Sequence, residues 1–181
     1  MKRILLLCML LSTFVVAQNN QGQLAYQYYQ SGEYQKAITL YQELNKKSVS
    51  AAYFPHYFNC LLQLEDYKTA EKLAARIVKK FPKSLHYKVD YGFVQKKNGK
   101  EKKAKQTYQS AIDGLSKQSN LAISLGNTFV LRKEFQWALK TYEQAKSLNP
   151  IYPFNMQIAN VYNQMGDAER MIESYLSLIQ T

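Results

Sequence analysis

Cysteine, histidine and glycine are scarce in this 181-residue sequence, and each shortage removes a class of function. Of the two cysteines, Cys8 sits in an N-terminal apolar run, so the chain behind that run keeps Cys60 alone and can form no intrachain disulfide. The two histidines, His56 and His86, are separated by most of a repeat, and neither has a nearby pair of acids or thiols in motif spacing, so no metal is expected. The seven glycines form no phosphate-cradling loop, and neither a nucleophile elbow nor an HExxH helix occurs. No enzyme and no cofactor are therefore expected. Only four prolines interrupt the chain, no segment alternates with period two, and no apolar run reaches the roughly 20 residues that span a bilayer.

What is present begins with Met1, Lys2 and Arg3, followed by Ile4–Val16, apolar apart from Ser12 and Thr13. Val15 and Ala17 then make a cleavage site before Gln18, which is the layout of a secretory signal peptide over residues 1–17. Cys8 lies inside the run with no small residues before it, so a lipid anchor is not expected. Charge is concentrated further on. Lys68 to Lys105 hold 13 basic residues against Glu71, Asp90 and Glu101, a local +10 that accounts for nearly all of the surplus. Lys79, Lys80, Lys83, Lys96, Lys97, Lys100, Lys102 and Lys103 form this candidate basic patch. It suits an acidic protein surface or anionic lipid headgroups in peripheral contact, or it is a solvated face that keeps the chain soluble; export argues against nucleic acid.

The remaining residues repeat. Ala37, Ala70, Ala104, Ala138 and Met171 follow one another at steps of 33, 34, 34 and 33, with Tyr41, Tyr108, Tyr142 and Tyr175 one helical turn after four of them. The clearest copy runs Leu125, Gly126, Phe129, Phe135, Ala138, Tyr142, Ala145, Pro150. Ala25, Gly92, Gly126 and Ala159 supply a second small position, where two antiparallel helices can approach closely; repeat two inverts the sizes with Phe58 and Ala74. This pattern resembles the tetratricopeptide repeat, which has a period of about 34 residues. The resemblance implies an all-α, right-handed superhelical solenoid of about five helix-turn-helix repeats in a single domain over 18–181, with repeats near 18–50, 51–84, 85–118, 119–151 and 152–181.

Arrays of this family commonly hold a peptide or partner helix along the concave surface of their first helices. The register then implies a groove lined by Tyr26, Tyr29 and Gln30, by Asn59 and Gln63, by Phe93, Lys96 and Lys97, by Asn127, and by Asn160, Asn163 and Gln164. Asn59, Asn127 and Asn160 share one register position, and a side-chain amide both donates and accepts, so such a ladder can pair with an extended backbone without reading its sequence. Phe93 interrupts it. Ala52 and Pro55 stand where carboxylate-clamp relatives place polar groups, so a chaperone-tail clamp is not implied. Together the leader and the resemblance imply an exported scaffold in a Gram-negative-type periplasm that mediates protein–protein interaction in the envelope. The rival reading is the amino-terminal adaptor of a longer secreted protein whose activity lies downstream. Its cue is the apolar edge Tyr175, Leu176, Leu178 and Ile179, which self-association, a docked partner or further chain would cover.

Overall fold

A computed structural model describes residues 21–46 and 48–178; the expected leader lies outside the described residues. Among these the chain is all-α, with no strand. It divides after Lys80 into two compact units. The first holds helical residues 21–30 (α1), Tyr34–Leu44 (α2), Phe54–Gln63 (α3) and Tyr67–Lys80 (α4). The second holds Leu85–Lys97 (α5), Glu101–Ile112 (α6), Ser119–Leu131 (α7), Phe135–Leu148 (α8), Asn155–Met165 (α9) and Ala168–Leu176 (α10).

One turn joins each of the five helix pairs. Gly32, Glu65, Gly99, Lys133 and Gly166 all take a left-handed backbone, with φ of 75, 55, 73, 58 and 77°. In each turn the next residue's N–H reaches back to a carbonyl of the first helix, as in Glu33 N to Tyr28 O at 2.9 Å and Glu134 N to Phe129 O at 2.9 Å. The left-handed residue's own N–H closes a shorter loop, as in Lys133 N to Val130 O at 2.9 Å. This double closure satisfies carbonyls that a helix end otherwise leaves unpaired. Glycine adopts the conformation freely; Glu65 and Lys133 hold it against a penalty of about 1 kcal/mol. An acid then opens most second helices, where it meets the positive end of the helix dipole. Asp66 Oδ1 accepts from Thr69 N at 3.0 Å, and Asp167 Oδ1 from Arg170 N at 3.1 Å.

The small positions do what their spacing implied. A Cβ added to Gly92 would strike the Tyr108 ring, and one added to Gly126 would strike Tyr142, so the rings occupy the space these glycines leave. Repeat two achieves the same filling in reverse: Phe58 is fully buried and stacks on Phe54 at 5.1 Å, while Ala74 is buried opposite. Val89, Tyr108, Leu125, Phe129, Tyr142 and Phe154 form the continuous core of the second unit. Trp137 lies half-buried against Tyr108 at 5.3 Å and Phe129 at 6.3 Å.

Tyr175, which shares the register of the buried Tyr41, Tyr108 and Tyr142, is itself 44% exposed beside Ile172 and Leu176. The reason lies in the neighbours. Tyr108 is covered by Phe129 and Trp137 of the following pair and Tyr142 by Phe154, whereas α10 packs on α9 and no described residue covers its outer face to that extent.

Candidate functional site

Every groove candidate lies on the first helix of a pair. Tyr26, Tyr29 and Gln30 are on α1, Asn59 and Gln63 on α3, Phe93, Lys96 and Lys97 on α5, Asn127 on α7, and Asn160, Asn163 and Gln164 on α9. The first two sets belong to one unit and the remainder to the other. In the second unit they converge. A depression of about 690 Å³ is lined by Phe93, Lys96, Lys97, Glu101 and the turn Leu131 to Glu134. A neighbouring one of about 760 Å³ is lined by Asn127, Asn160 and Gln164 with Val130, Leu131, Lys133 and Phe135. Leu131 and Lys133 belong to both, so the two form one surface across α5, α7 and α9. Asn163 is exposed but lines neither.

Ion pairs fix this surface. Arg132 Nη2 and Nε lie 2.6 and 2.7 Å from Asp90 Oδ1, with the two side chains only 12 and 9% exposed. Burial raises the Asp90 carboxyl pKa, and the guanidinium opposes that rise. Arg132 also sits 5.5 Å over the Phe93 ring. Lys96 Nζ donates to both oxygens of Glu134, at 2.8 and 3.1 Å, and the Tyr108 hydroxyl donates to the same carboxylate at 3.4 Å. Lys97 and Lys133 are exposed cations on the same surface, and Lys97 Nζ lies 5.6 Å over the Phe93 ring. Tyr142 Oη donates to Asn127 Oδ1 at 3.3 Å, which holds the amide of this lining residue in place.

The basic patch is divided. Lys79 and Lys80 end α4 in the first unit, whereas Lys83, Lys96, Lys97, Lys100, Lys102 and Lys103 belong to the second; all eight are exposed. Part of the basic window has a local task. Lys80 Nζ donates to Ser48 Oγ at 3.0 Å and Val49 O at 2.7 Å, and Arg76 Nη2 donates to Asn45 O at 2.7 Å. Asn45 is buried; its Nδ2 donates to Tyr41 O, and its Oδ1 accepts from Ser50 N. These bonds tie the α2–α3 connection down.

Leu131 closes α7, and Lys133 and Glu134 follow in the turn; none carries a groove register position, and the shared left-handed position at Lys133 is the signal that marks the turn. Among the described residues no three His, Cys, Asp or Glu side chains gather as a metal site, and no helix is long and apolar enough to cross a membrane. Cys60 is fully buried in α3, and desolvation pushes its thiol pKa up to about 11. At pH 7.5 the folded protein is expected to resist iodoacetamide, with labelling at least a hundredfold slower than in urea; comparable rates would mean that the thiol is accessible.

The sequence profile of the family described as intraflagellar transport protein 56 matches residues 21–180. No curated protein matches the chain. A solved thermophilic tetratricopeptide protein of Thermus thermophilus shares 19% identity over 90% of each chain, with a TM-score of 0.50. The crystal structure of a MamA protein shares 14% identity, again over 90% of each chain, with a TM-score of 0.51. At such identities the likeness concerns the fold alone, and it agrees with the helix pairs, turns and small-residue crossings described above. The chain therefore belongs to the intraflagellar transport protein 56 family, an array of tetratricopeptide-like helical repeats.

Proposed function

We propose that this protein is an exported scaffold of the bacterial envelope that holds an extended, acidic segment of a partner protein along the α5–α7–α9 face. One observation carries the reading: residues from three successive repeats, Phe93, Asn127 and Asn160 among them, line depressions joined through Leu131 and Lys133. Such a surface offers backbone-pairing amides, an apolar contact at Leu131, which is 69% exposed, and cations at Lys97 and Lys133. The leader-like start of the sequence supports export.

A photoreactive phenylalanine analogue placed at Leu131 in living cells tests this. One discrete adduct is expected, cross-linked within an acidic segment of the partner, and it should be lost in Asn127→Ala/Asn160→Ala. The same probe at Gln144, exposed on α8, should give none. Equal adducts at both positions, or none at Leu131, would overturn the groove reading. An unprocessed chain confined to the cytosol would overturn export.

A further inference from the structure

Tyrosine stands at one register position in repeats one, three, four and five, and is buried in the first three of these; in one of those three its hydroxyl has no partner. Tyr108 donates to Glu134 and Tyr142 to Asn127. Tyr41 is 0% exposed, and its hydroxyl oxygen finds no hydrogen-bond partner among the described residues. The position that holds Asn127 beside Tyr142 holds Tyr26 beside Tyr41, and Tyr26 Oη accepts from Gln30 Nε2 at 3.1 Å but makes no bond with the Tyr41 hydroxyl. A buried hydroxyl without a partner is costly, and an orphan of this kind calls for an explanation.

Tyr41 also borders a cavity of about 370 Å³, within the size range of small-ligand sites. Tyr26 and His56 flank it with ring centroids 4.7 Å apart, and Tyr53 faces Tyr41 at 6.1 Å. Gly22, against which the Tyr53 ring packs too closely for a Cβ, completes the lining with Gln23 and Ala52. Among the described residues no Lys, Arg, Asp or Glu lines it. Burial lowers the His56 pKa, so the imidazole is neutral at pH 7 and offers one donor and one acceptor.

These features select a ligand class. A charged ligand would find no counter-charge among the described lining residues. A purely apolar side chain would leave the Tyr41 hydroxyl as unpaired as it found it. The occupant must be uncharged, carry its own acceptor, and present a flat face to aromatic rings whose tips are polar. We propose that the cavity between α1, α2 and α3 binds one neutral saccharide ring, with Tyr41 Oη donating to a sugar oxygen and the tyrosine rings serving as the platform. This site lies in the first unit and is independent of the peptide face on the second.

Methyl glycosides of glucose, galactose and N-acetylglucosamine, titrated into the full chain and followed by aromatic-ring NMR, test it. At least one glycoside is expected to shift the Tyr41, Tyr53 and His56 signals while Tyr108 and Tyr142 stay in place. Tyr41→Phe should weaken binding about tenfold, as loss of one good hydrogen bond implies. Its unfolding temperature should match or exceed the parent's, because the hydroxyl that is removed bonds to nothing in the described fold and its burial is costly. Ala52→Leu should abolish binding by filling the cavity, and Asn127→Ala should leave it unchanged. No shift from any glycoside at about 50 mM, a range that reaches millimolar affinities, would overturn the proposal. So would undiminished affinity in Tyr41→Phe, or binding of N-acetyltyrosinamide in place of every sugar.

Discussion

Asp90→Ala is expected to lower the stability of the second unit by about 3–5 kcal/mol, the usual cost of stranding one member of a buried ion pair. Asp90 is 6% exposed, and Arg132 directs two donors at one of its oxygens from the C-terminal end of α7. Without the carboxylate, the guanidinium loses its buried counter-charge and must either stay in place at that cost or swing out and open the contact between α5 and α7. The measurement is convenient, because the chain's single tryptophan, Trp137, packs against Phe129 and Tyr108 within the same unit. Its fluorescence in a urea titration therefore reports that unit rather than the first. A paired replacement separates charge from shape: Asp90→Leu with Arg132→Met removes both ions and should recover most of the loss, since an apolar pair of similar volume often matches a buried ion pair. A loss below about 1 kcal/mol in Asp90→Ala would mean that the pair is solvated like a surface bridge.

Sequence and structure agree most closely where one residue's size decides the geometry. The 33-to-34-residue step was legible because a helix crossing tolerates only small side chains, and the chain meets that demand at Ala25, Gly92, Gly126 and Ala159, all buried. The same spacing reappears in the left-handed turn residues from Gly32 to Gly166. Two of these, Glu65 and Lys133, were hidden, because the backbone closure that holds them does not depend on the side chain. The groove candidates were legible as a register but not as a surface. Which of them meet depends on the turn between α7 and α8, whose Leu131 and Lys133 join the two depressions and show no pattern in sequence.

Pairing was the least legible layer. Lys96 belonged to a uniform run of positive charge until the structure set it against Glu134, 38 residues away. Lys80 and Arg76 looked like members of the same run, yet they hold the chain between α2 and α3. A charge count sees the excess but not which charges are already matched. Tyr41 shows the same limit in another way: its register placed it in the core, correctly, but whether its hydroxyl had a partner depended on Tyr26 occupying the position that Asn127 takes in repeat four.

Gly126→Ala is expected to destabilise the second unit by about 1–3 kcal/mol, even though alanine is the better helix former by about 1 kcal/mol in a helix interior. The two effects oppose each other, and the Tyr142 ring decides between them. A Cβ at residue 126 would overlap the ring's hydroxyl end. The ring has little room to retreat, since it is buried, stacks on Phe154 at 5.8 Å and is held by the bond to Asn127. Phe154 is itself fixed in a left-handed conformation with φ of 55°, one that a bulky residue rarely adopts, so a shift there would disturb the start of α9. If this account is correct, the sign of the substitution depends on residue 142. In a Tyr142→Leu background the obstruction is gone, and Gly126→Ala should become stabilising by a few tenths to about 1 kcal/mol. A double-mutant cycle read through Trp137 measures the difference, and contacting residues commonly couple by about 0.5–3 kcal/mol. Additive effects would mean that the glycine serves something other than the approach of this ring. Coupling would also connect the fold to the proposed groove, because Asn127 takes its orientation from the tyrosine that Gly126 admits.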